Sequence, residues 1–190
     1  MPLAKTVSST LVEVAQIMEP NDANFLGKVF GGAILAMIDL CAYAASSKFA
    51  GTICVTASFD RVDFHEPINL GELVTMKGRI SYAGRTSVEV TIEVYAENLL
   101  HGTQRHTNTA RVNMVALGPD LKPVGVPALI CETREEKVAF LEGKLRREVR
   151  QRRRQEAEAI RARFVSAPEA ELDRLLSVES LAEDYLGHSG

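Results

Sequence analysis

The sequence predicts an α+β fold: one antiparallel sheet wrapped around a long central helix, followed by a helical extension. Three observations carry this. Residues 31–50, GGAILAMIDLCAYAASSKFA, form an apolar run of helical length. Four strand-like segments follow in succession, and one of them, 87–96, alternates cleanly between Val88, Val90, Ile92, Val94, Ala96 and the intervening polar residues. From residue 134 onward the composition turns to charged residues at helical spacing.

The elements read in order as follows. Leu11, Val12, Val14 and Ile17 suit a first strand within 7–18. The turn formers Pro20, Asn21, Asp22 and Asn24 then lead into the helix. Gly31 and Gly32 open it, where the first amides of a helix lack backbone acceptors and carry a partial positive charge. A membrane span of about 20 residues would tolerate Asp39 and Lys48 poorly, so a buried core helix is the reading. Segments 52–64, 73–82, 87–96 and 107–117 are the later strands, with a hairpin at residues 83–86. Because the helix is apolar all round, one sheet cannot cover it, and at least a dimer is expected.

Bulk properties narrow the function classes. A chain of 190 residues with net charge −3 makes no overall electrostatic case for nucleic acid. Cys41, Cys54 and Cys131 are far apart and form neither a disulfide framework nor a zinc site, and His65, His101, His106 and His188 form no ligand cluster. No metal is expected. The N-terminus does not read as a secretory signal, which points to the cytoplasm. Residues 134–163 hold eleven of the 22 basic residues but also six acidic ones, and a lone aromatic, Phe140, is no interleaved set to stack on bases. Val138, Leu141, Leu145 and Val149 form a narrow apolar stripe there. Ser166 and Glu169 suggest a capping box opening a second, acidic helix with Leu172, Leu175, Leu176 and Leu181.

The chemistry-bearing oddity is Asp39, alone in an apolar helix, where an unpaired carboxylate is costly to bury. It serves chemistry, points into solvent, or caps a neighbouring loop. Asn24 is by spacing a turn residue. His65 reads as a loop histidine, and no Gly-x-Ser-x-Gly elbow is present for a serine hydrolase.

The run NDANFLGKVFGGAILAMID resembles the signature of the hotdog acyl-CoA thioesterases of the YciA and brain acyl-CoA hydrolase type. Stretches 55–74, 80–98 and 115–129 agree with the same family in the same order. The resemblance covers roughly residues 8–129, which defines a hotdog domain, and leaves 134–190 as an added helical extension. It implies a thioesterase that hydrolyses an acyl-CoA, with Asp39 as general base or nucleophile. It further implies Asn24 of the partner subunit as the residue orienting water or thioester, and the Gly32 amide as oxyanion donor. Residues Gly84, Arg85, Thr86 and Ser87 match the hairpin beside the CoA nucleotide, where Arg85 would pair with phosphate, and Arg61 is a second phosphate candidate. Coenzyme A enters as part of the substrate, so no separate cofactor is expected. Family habit implies a trimer of dimers. The alternatives are a non-catalytic acyl-CoA sensor whose basic tail touches nucleic acid or a partner protein, and a hotdog dehydratase, for which no His-centred motif is visible. Truncation after Val126 is expected to leave the body active.

Overall fold

Helix α1 (Gly31–Ala50) forms where the apolar run predicts it. It ends at Gly51, whose φ of 71° is the left-handed conformation that terminates a helix at low cost in glycine. Lys5 Nζ donates to the carbonyls of Lys48 and Phe49, both at 2.8 Å, which satisfies and neutralises that end. Along the helix Ile34, Ile38, Cys41, Ala45 and Phe49 recur at spacings of three and four and are all essentially buried.

They pack against a five-stranded antiparallel sheet in the order β2 (Val12–Ile17), β4 (Leu73–Ala83), β5 (Ser87–Asn98), β6 (Thr103–Ala116), β3 (Cys54–Phe59). The facing residues include Met76, Ile80, Val90, Ile92, Ala110, Val112 and Met114. Each large side chain buried in this way contributes roughly 1.5–3 kcal/mol. The registers shift between Thr56 and Ser58, between Ile80 and Tyr82, and between Val94 and Tyr95. Bulges of this kind bend strands and raise the local twist, which lets the sheet curl round the helix. A short parallel pair, β1 (Ala4–Thr6) with β7 (Ala128–Ile130), was not foreseen, since three residues carry no readable periodicity.

The computed structural model describes residues 4–60, 62, 64 and 66–181. Two compact units divide at Lys144 and Leu145. Helix α2 (Arg134–Ser166) starts within the first unit. Thr133 and Glu136 form its capping box: Thr133 Oγ1 accepts from the Glu136 amide at 3.2 Å and Glu136 Oε2 accepts from the Thr133 amide at 3.2 Å. Its early turns lie on the outer face of the sheet. The ring of Phe140 packs 5.0 Å from that of Tyr82, and a Cβ on Gly143 would fall 2.6 Å from Tyr82 Cβ and 3.0 Å from Glu89 Oε1. This contact corrects the reading of β5. Glu89 is wholly buried and Thr91 nearly so, although alternation places both on the solvent side.

In the second unit, α3 (Glu169–Leu176) and the end of α2 enclose a small apolar cleft lined by Phe164, Leu172, Leu175 and Leu176. Ser166 does not cap α3. Its hydroxyl donates back to the Arg163 carbonyl at 3.1 Å, and Pro168 stands at the cap. In α2, Glu158 pairs with Arg154 at 2.9 Å.

Candidate active site

Asp39 lies on the flank of α1 between its buried face and an outer face bearing Leu40 and Tyr43, so it is half-buried rather than enclosed. Its Oδ1 accepts a hydrogen bond from Thr56 Oγ1 on β3, and Thr56 Oγ1 lies 3.3 Å from Met114 Sδ. The carboxylate is therefore fixed against the edge strand. Sequence reasoning missed Thr56. A threonine in a β-rich segment is ordinary, and only folding shows that it meets an aspartate seventeen positions away.

The loop before α1 is built around Asn24. Asn24 Oδ1 accepts from the amides of Leu26 at 2.9 Å and Lys28 at 3.1 Å, while the backbone of Asn24 and Lys28 closes at 2.7 Å. With the oxygen committed to two N–H donors, the group Asn24 offers outward is its Nδ2 amide, a donor. Gly27, at φ 69°, permits this tight loop. Next to it, Phe30 donates its amide to Asp22 and caps α1 without a side-chain bond. The amides of Gly31 and Gly32 are the first of the helix and have no backbone acceptor among the described residues. The Phe30 ring covers the Gly32 α-carbon so closely that a Cβ there would lie 2.2 Å from it. Asn24, Lys28, Gly31, Ile34, Phe64 and Glu66 line a cleft of about 330 Å³.

The predicted residues fall into two groups within one chain. Thr56 is in register with Met114, Met114 with Val88, and Val88 with Ala83, so Asp39 stands over the end of the sheet that carries the hairpin 84–87. That hairpin is pinned by three backbone bonds: Gly84 to Ser87 at 2.8 Å, Ala116 to Thr86 at 3.0 Å and Val126 to Arg85 at 3.0 Å. Arg85 itself is exposed. The Asn24 loop instead joins the sheet at Ile68 and Asn69, just before β4 begins. The eleven residues of β4 separate it from the hairpin by roughly 30 Å. Asp39 does not line the Asn24 cleft, and lies about 10 Å along the helix axis from Gly32. Arg61 and His65 lie outside the described residues.

Comparison with known proteins gives the family. The Thioesterase superfamily model matches residues 26–101. Over 142 residues the chain is 34% identical to protein VdlD of Helicobacter pylori, covering 75% of this chain and 80% of that one. The chain belongs to the hotdog acyl-CoA thioesterases. The rat cytosolic acyl coenzyme A thioester hydrolase is 32% identical over 145 residues, which are 75% of this chain but 38% of that longer protein. The chain thus spans well under half the length of that relative. Among solved structures, an apo-hexameric acyl-CoA thioesterase superimposes with a TM-score of 0.75 at 35% identity, covering 79% of this chain and 96% of that one. The Staphylococcus aureus acyl-CoA hydrolase, solved with butyryl coenzyme A and coenzyme A, gives 0.76 at 30% identity, covering 86% and 99%. Variants of that hydrolase carrying alanine for one asparagine, one aspartate or one threonine have also been solved. The aspartate follows the asparagine by fifteen positions and the threonine follows the aspartate by seventeen. Asn24, Asp39 and Thr56 have the same spacing.

Proposed function

We propose that this hotdog thioesterase hydrolyses an acyl-CoA thioester to a carboxylic acid and CoA at a site shared by two subunits. The observation that carries the reading is the Thr56–Asp39 pair, together with Asn24 at the spacing of the three residues singled out in the S. aureus hydrolase. Within one chain the carboxylate and the asparagine loop stand apart. A two-fold dimer presents the Asp39 half of one subunit to the Asn24 half of the other. The exposed apolar side chains of α1 and the edge strand, Leu40, Tyr43, Val55 and Phe59, are suited to that contact.

Thr56 holds Oδ1 of Asp39 and orients Oδ2 toward the substrate. On the general-base route Asp39 takes a proton from water, the oxygen attacks the thioester carbonyl, and the C–S bond breaks as the CoA sulfur leaves and is protonated. On the nucleophilic route the carboxylate attacks directly, CoA leaves, and water hydrolyses the resulting anhydride. In both, negative charge develops on the carbonyl oxygen, where the helix-initial amide of Gly32 and the Asn24 Nδ2 are donors of the right kind. The hairpin Gly84, Arg85, Thr86, Ser87 binds the CoA nucleotide, Arg85 pairing with phosphate. Assembly through dimers into a hexamer follows the apo-hexameric neighbour, and a cytosolic workplace follows the name of the rat relative.

The test mixes two inactive proteins. Asp39→Ala and Asn24→Ala should each lower CoA release from fatty-acyl-CoA by about 10²-fold or more. After subunit exchange the mixture should recover about one quarter of wild-type activity, because a mixed two-fold dimer keeps one intact site. Tight acyl-CoA binding with no turnover in the wild type would replace the enzyme with a sensor. Failure of the mixture to recover would return Asn24 and Asp39 to a single chain.

A further inference from the structure

The residues that hold the Asn24 loop form a continuous chain of hydrogen bonds ending in an ion cluster far from Asp39. Arg105 on β6 meets Glu72 with two parallel bonds, Nη1 to Oε1 and Nη2 to Oε2, both 2.8 Å. Glu72 is only 4% exposed. The same Nη2 donates to the Pro67 carbonyl at 2.8 Å, and Nε lies 3.1 Å from Glu66 Oε2. Glu72 Oε2 then accepts from the Asn69 amide at 2.8 Å. Asn69 Oδ1 accepts from Lys28 Nζ at 2.7 Å. Lys28 finally donates its amide to Asn24 Oδ1. A single guanidinium thus holds segment 66–72, and that segment holds the loop bearing Asn24.

A bidentate arginine–carboxylate pair whose carboxylate is nearly buried is among the more rigid contacts a protein makes, with geometry fixed by two planar groups. Its situation favours positioning over general stability. The pair joins β6, an interior strand, to the connection that lines the Asn24 cleft through Glu66, Pro67 and Ile68. The reacting groups of such a site tolerate little misplacement, a shift of 1 Å costing on the order of 10²-fold in rate.

We infer that Arg105 and Glu72 are positioning residues for hydrolysis, a clasp that sets the Asn24 amide at the distance the partner subunit's carboxylate requires. This rests on the reading of Asn24 given above. The clasp acts through Asn69 and Lys28, and touches no substrate.

The experiment is a double-mutant cycle on the full chain, measuring kcat and KM for CoA release. Arg105→Met and Glu72→Gln should each lower kcat by about 10-fold or more, with the assembled state retained. Arg105→Lys should recover only part of this, since an ammonium cannot make both parallel bonds. In an Asn24→Ala background, Arg105→Met should cost little more, because the group it positions is gone. Asn69→Ala removes the acceptor of the exposed Lys28 ammonium while leaving the Arg105–Glu72 pair in place, and should lower kcat in the same direction even if Arg105→Met folds poorly. A loss from Arg105→Met that is equally large with and without Asn24 would overturn the inference, as would unchanged kcat in Asn69→Ala. An Asn24→Ala protein with full turnover would instead reject the underlying reading of the site.

Discussion

Replacing Gly78 with alanine tests how closely α1 must approach the sheet. Gly78 is buried in the middle of β4, and a Cβ there would lie 2.7 Å from Cys41 Sγ, 3.6 Å from Ile92 Cγ1 and 3.7 Å from the Cys41 carbonyl. The last two are ordinary contacts; the first requires the sulfur or the helix to move by about 1 Å. Cys41 is fully buried, and burial pushes its thiol up to about 11, so it acts as a neutral packing group. Overpacking of this kind costs about 1–3 kcal/mol. For a body of this size that lowers Tm by about 5 °C at fixed protein concentration. Cys41→Ala alone leaves a small void costing about 1 kcal/mol. The double variant should lie near wild type, giving a favourable coupling of about 2–4 kcal/mol. Because Asp39 is two residues from Cys41 on the same helix, turnover should fall in Gly78→Ala and return in the double variant. Thermal melts and CoA release on the four proteins decide it. Simple additivity of the two substitutions in stability would refute the close-approach argument.

Two further expectations concern stability and assembly. The Arg105 fork, helped by the Asn69 amide and opposed by burial, lowers the Glu72 carboxyl from 4.5 to about 2. A depressed folded value means stability that is present above pH ~4.5 and lost as pH falls toward 2, worth roughly 3 kcal/mol at most. Melts between pH 5 and 2 should therefore fall less steeply for Glu72→Gln than for wild type, and equal slopes would remove Glu72 as the acid-labile group. Leu40→Glu places a charge on the exposed apolar face of α1, where Leu40 is 62% exposed. Light scattering after gel filtration should show a smaller species, and an unchanged mass would exclude this face from the subunit contact.

How much was legible depended on whether a residue's role is local. The span of α1 was readable to the residue, since twenty apolar positions closed by a glycine admit few alternatives. The strands were readable within a few residues, and the Asn24 and hairpin loops were found as turns. Roles fixed by distant partners were not readable. Thr56 acquires its meaning from Asp39, and Arg105 from Glu72 thirty-three positions earlier. The outward side of β5 was misassigned because alternation reports which residues share a face, not whether something covers it. Ser166 satisfied the spacing of a cap, but its hydroxyl found a nearer acceptor in the helix it closes.

The glycine at position 143 has a bearing on how this protein can be dissected. It lets the early turns of α2 lie directly over Tyr82 and the enclosed carboxylate of Glu89, which also accepts from Ser81 Oγ at 2.9 Å. Cutting the chain after Val126 would strip that cover and wet an acid the fold keeps dry, so loss of activity in such a fragment would report a damaged sheet rather than a missing tail. A cut placed beyond Lys144 removes the second unit and spares the lid.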